Sequence, residues 1–70
     1  MSEYRVVFEP ADDGSWSAYS IDLPGVFSSG ASRAEVESNM REALSLYLEE
    51  LQRRGESPPP ANSETAVIAL

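Results

Sequence analysis

The sequence predicts an α+β fold in the order β-β-β-α-β. Three features point to it. One long amphipathic helix pattern runs from Gly30 to Gly55. Alternating, β-rich segments separated by Gly, Pro and Asp turns precede it. An almost wholly apolar segment, Thr65 to Leu70, follows it. Seventy residues suit one small domain over residues 1–70.

The first strand spans Glu3 to Pro10. Tyr4, Val6 and Phe8 share one face; Arg5, Val7 and Glu9 share the other. Pro10 ends it. Asp12-Asp13-Gly14-Ser15 is turn chemistry, and Asp-Gly is a strong hairpin signal because both residues tolerate positive φ. The adjacent carboxylates are read as solvated turn residues, not a metal site, since no further ligand cluster lies nearby. The second strand, Ser15 to Ile21, puts Trp16, Ala18 and Ser20 on one face and Ser17, Tyr19 and Ile21 on the other. The small Ala18 leaves room for a docking helix, and Trp16 belongs in the packing. Leu23-Pro24-Gly25 calls for a type II turn, with Pro fixing φ and Gly accepting positive φ. Val26 to Ser29 is a short third strand.

The helix opens on Ser32-Arg33-Ala34-Glu35, a capping-box pattern. Val36, Met40, Ala43, Leu44, Tyr47, Leu48 and Leu51 then fall on one face. Glu37/Arg41, Glu49/Arg53 and Glu50/Arg54 are i,i+4 pairs on the other. Gly55 suits a left-handed C-terminal cap. Pro58-Pro59-Pro60 favours a stiff extended return. The helix outreaches strands of about 20 Å, so this return is expected to rest on Leu48 and Leu51. Thr65 to Leu70 is expected to form a fourth strand parallel to the first, giving sheet order 3-2-1-4 with the helix on one face. The other face, with Val7, Tyr19 and Ile21, stays uncovered, which implies a homodimer or homotetramer.

Composition narrows the function. There are twelve acids against five basic residues, a net charge of −7, with no histidine and no cysteine. Such a surface repels a phosphate backbone, so direct nucleic-acid binding is not expected; it attracts a basic protein. Without histidine the commonest general base is missing. No segment has the length and apolarity of a membrane span and no signal peptide is evident, so the expected location is the cytoplasm. No cofactor is implied.

Taken together, several motifs resemble the HicB antitoxin family. They are Tyr4-Arg5-Val6-Val7-Phe8-Glu9-Pro10, Asp12-Asp13-Gly14-Ser15-Trp16, Ala18, Asp22-Leu23-Pro24-Gly25, Gly30-Ala31-Ser32 with Glu35, Ala43, and the prolines after the helix. The resemblance covers nearly the whole chain. Ile21 and Ala31 depart from the family's frequent Pro and acidic residue at those positions. It implies a partial ribonuclease-H-like fold. It also implies a partner, HicA, a small basic RNA-cleaving toxin whose catalytic histidine the antitoxin blocks. Many members carry a C-terminal DNA-binding domain; none is expected after Leu70, so operator binding is not expected of this chain unless a partner supplies it.

A nuclease on this scaffold would need carboxylates converging on divalent metals, including one on the last strand. That strand has none, so no catalytic or metal-binding residue is assigned. The alternative to a toxin-neutralising module is an orphan oligomer that binds another protein or a small ligand. Partner contacts are expected where acids adjoin apolar anchors: Asp12 and Asp13 at one end of the second strand, and Asp22, Leu23, Pro24, Gly25 and Phe27 at the other.

Overall fold

A computed structural model describes residues 3–70. It contains strands β1 (Val6–Pro10), β2 (Trp16–Ser20) and β3 (Phe27–Gly30), then helix α1 (Arg33–Arg53). The strands form one antiparallel sheet in the order β1-β2-β3. Val7 pairs with Tyr19 and Phe8 with Ala18; Tyr19 pairs in turn with Phe27.

Alternation along the strands decides which side is buried. Val6, Phe8, Trp16 and Ala18 face the helix and join a core of Leu23, Val26, Val36 and Met40. Ala18 is buried under that helix, as its small side chain requires. Ala43, Leu44, Tyr47 and Leu48 pack at the margin of this core, and Leu51 is buried further along α1.

Both helix ends follow from local chemistry. Ser32 accepts the Glu35 N–H at 3.1 Å through its hydroxyl. Glu35 reaches back to the N–H of Ala31 rather than that of Ser32, also at 3.1 Å, so the expected reciprocal cap closes one residue early. At the other end Gly55 has φ +73°. Its N–H donates to the Gln52 carbonyl, and the Glu56 N–H donates to that of Leu51, the paired bonds of a Schellman motif. Of the three anticipated ion pairs, Glu50–Arg54 forms, at 3.1 Å. Glu37 instead pairs with Arg33 at 3.0 Å, and Arg53 also turns to Glu50. Arg33 lies 4.2 Å from the centroid of the Phe8 ring, a cation–π contact that ties the helix start to β1.

The turns also take their form from their residues. Gly25, at φ +83°, closes the Leu23–Val26 turn behind Pro24, with the Val26 N–H donating to the Leu23 carbonyl. In the first hairpin only Gly14 takes positive φ, +89°. The connection from Ala11 to Ser15 is therefore longer than a two-residue Asp-Gly turn.

The fourth strand is the main correction. Thr65–Leu70 forms no strand, and the order 3-2-1-4 is replaced by β1-β2-β3 among the described residues. Val67, Ile68 and Leu70 are exposed at 101, 78 and 120 %. Apolarity made this segment fit for burial, but a strand exists only where a neighbouring backbone pairs with it. Here the segment leaves the body after Ser63. Pro58, Pro59 and Pro60 are all exposed; Pro58 borders a groove that Leu48 also lines, and Leu51 is not part of it, so the expected packing of the return on both leucines is not seen.

The cap can be tested on its own. Ser32→Ala should lower stability by about 1 kcal/mol, a fall in Tm of about 4–8 °C for a chain of this size. Thermal unfolding followed by circular dichroism measures it.

Candidate functional site

The sheet face opposite the helix is open. Its register sets Val7, Tyr19 and Phe27 in one row across the three strands. Val7 is half-buried, Tyr19 is 44 % exposed and Phe27 is 74 % exposed. Ile21, two residues beyond Tyr19, extends the apolar surface toward one end. Glu9, Ser17 and Ser29 form the adjoining row toward the other end. A continuous apolar strip with a polar margin is a surface suited to burial against another protein.

The two expected clusters lie at opposite ends of β2, about 17 Å apart. They bracket the open face rather than forming one patch. Asp12 and Asp13 are exposed in the first turn. Asp13 accepts from the Ser15 hydroxyl at 2.6 Å and the Ser15 N–H at 3.0 Å. These bonds hold its carboxyl below the usual carboxylate range, the hydroxyl contributing most. Among the described residues no three acidic side chains lie close enough to share a metal ion.

The second cluster divides by burial. Leu23 is fully buried in the core, and its N–H donates to the buried Ser20 hydroxyl at 3.1 Å. Pro24 and Gly25 are exposed at the turn. Phe27, the first residue of β3, presents most of its ring to solvent.

Asp22 is tied to a distant part of the chain. Its Oδ1 accepts the Ser63 N–H at 3.1 Å, and Arg5 Nε donates to the Ser63 carbonyl at 2.7 Å. Asp22 Oδ2 is buried without a hydrogen-bond partner among the described residues. The carboxyl is held below its ordinary range, chiefly by the Ser63 hydroxyl close by; partial burial opposes this, and the Ser63 and Arg5 groups add to it. Asp22 and Arg5 thus clamp the chain where it returns from the helix. The sequence gives no local signal of this clamp, because its partners are 41 and 58 residues apart.

A concave feature lies between β1 and α1. The helix packs over β2 and β3, leaving Tyr4, Val6 and Phe8 facing Met40, Leu44 and Leu48 across a groove of about 880 Å³.

Comparison with known proteins decides the family. Residues 4–69 match the model of the HicB-like antitoxin of bacterial toxin–antitoxin systems. The chain belongs to the HicB-like antitoxin family. A HicB-like relative, the UPF0150 protein Ta0767 of Thermoplasma acidophilum, is 30 % identical over 66 residues, covering 94 % of this chain and 96 % of that protein. No solved structure matches. Among the described residues of this HicB-like chain, no helix is long and apolar enough to cross a membrane.

The clamp has a pH signature. Because the folded pKa of Asp22 is lowered, its stabilising effect is present above the unfolded value of about 3.9 and is lost as pH falls through the folded value. Asp22→Asn should flatten the loss of stability below about pH 4, and at neutral pH should speed amide exchange at Ser63. Denaturant titrations across pH, with amide exchange read by NMR, measure both. The turn offers a second test. Leu23→Ala should cost about 2–5 kcal/mol, whereas the exposed Phe27→Ala should change stability by less than about 0.5 kcal/mol, as read from chemical denaturation.

Proposed function

We propose that this chain acts as an antitoxin by binding a small basic toxin of the HicA type on its open sheet face. The single feature that carries this reading is the exposed Val7–Tyr19–Phe27 row on an antitoxin-family chain of net charge −7. Charge brings a basic partner to the surface, and desolvated apolar groups hold it. Phe27 is the anchor, because it is the most exposed aromatic of the row and needs no rearrangement to be buried. Asp12, Asp13 and Glu9 flank one end of the face and steer; Pro24 and Gly25 shape the other. The role is steric and electrostatic: the chain occupies the toxin's working surface and performs no reaction of its own.

The test is co-expression with a small, basic, histidine-containing protein encoded beside this one. Neutralisation should restore growth, and the two chains should co-purify in a complex that weakens as salt rises. Phe27→Asp should weaken binding at least about tenfold, a loss typical of a central anchor, with an unchanged circular dichroism spectrum. Paired substitution of Asp12 and Asp13 by Asn should mainly slow association. Failure of every such neighbour to bind or be neutralised would overturn the reading.

A further inference from the structure

We propose that the open face is a seat for one arginine side chain of the basic partner, with its guanidinium stacked on Tyr19 and its planar fork paired to Glu9. The seat rests on the reading of that face as the partner surface, and it names the chemical group that the face selects.

Strand pairing sets the two rings together. The Ser20 N–H donates to the Val26 carbonyl at 2.9 Å, and the Ile21 N–H to the Arg5 carbonyl at 3.2 Å. Along an antiparallel ladder, hydrogen-bonded and non-hydrogen-bonded pairs alternate. Counted from these two bonds through the register, Val7 and Tyr19 form a hydrogen-bonded pair, and Tyr19 and Phe27 a non-hydrogen-bonded one. The latter is the closer spacing, with Cα atoms about 4.5 Å apart. Tyr19 and Phe27 therefore make one aromatic surface open to water, Tyr19 being 44 % and Phe27 74 % exposed.

The charges on this face lie at its two ends. Glu9 pairs with Ser17, two residues from Tyr19, so it stands on a diagonal of about 7–8 Å that long side chains bridge. It is exposed, and among the described residues it joins no ion pair. Ser17 and Ser29, in the same row, add only hydroxyls. Arg5 lies on the same side of β1 at the other end, where its Nε donates to the Ser63 carbonyl at 2.7 Å. A cation is repelled from the Arg5 end and drawn to the Glu9 end.

Phe27, Tyr19 and Glu9 sit on successive strands, across two strand spacings of about 10 Å in all. An arginine laid along that line puts its methylene stem on Phe27, its flat cation on Tyr19 and two N–H donors on the Glu9 carboxylate. The stem covers apolar surface, the weakly hydrated guanidinium stacks on a ring face, and the fork matches a carboxylate. Lysine offers only a compact, strongly hydrated charge.

The probes are tetra-arginine and tetra-lysine peptides of equal charge, titrated into the full chain at low salt and followed by NMR. The net charge of −7 attracts both alike, so their affinity ratio reports the seat. Tetra-arginine should bind at least about threefold tighter, with the largest shifts at the Tyr19 and Phe27 rings and at Glu9. Tyr19→Leu, which keeps apolar cover but removes the ring, should bring the ratio close to one, and so should Glu9→Gln. Glu42→Gln removes the same charge from an exposed position on α1, and should weaken both peptides equally. Circular dichroism checks that each variant is folded. Equal affinities for the unsubstituted chain would overturn the proposal; so would a preference that survives Tyr19→Leu and Glu9→Gln, or one that Glu42→Gln also abolishes. The peptides need no toxin, so the two readings fail separately. A toxin neutralised by a chain with no arginine preference removes the seat and leaves the function; an arginine preference with no toxin neutralised keeps the seat and removes the toxin.

Discussion

The width of one helix governs this structure. An α-helix with its side chains is about 10 Å across, and three strands span nearly as much between their outer backbones before their side chains are counted. Helix α1 cannot cover all three. It settles over β2 and β3, where Ala18 lets it approach and Val36 and Met40 fill the space above. β1 is left with Tyr4, Val6 and Phe8 only partly covered, and among the described residues no strand pairs with its outer edge. The groove beside α1 and the open opposite face both follow from covering a sheet with one helix.

The sequence was most readable where the signal is local. Ser32 and Glu35 mark the helix start, Gly55 its end, and Pro24-Gly25 a type II turn; each works through bonds to neighbours a few residues away. The alternation in β1 and β2 separated the helix-facing side chains from the exposed ones correctly, because period-two patterning is fixed by the pleat. The reading failed where the outcome depends on what a segment meets in space. Thr65–Leu70 has the composition of a buried strand, but composition does not say which backbone will pair with it.

The candidate site was legible to a similar degree. Phe27 and the acidic turn at Asp12–Asp13 are exposed, as partner contacts need. Leu23 shares the same turn yet has its side chain in the core, since a turn folded back on a sheet must bury one of its residues. Asp22 carried a charge that suggested a contact with another protein, and it also holds the chain at Ser63 where it returns from the helix. Long-range polar pairs like Asp22–Ser63 have no periodicity, so no pattern in the chain announces them. Tyr19 and Val7 were recognised as uncovered, but only the register places them in one row with Phe27.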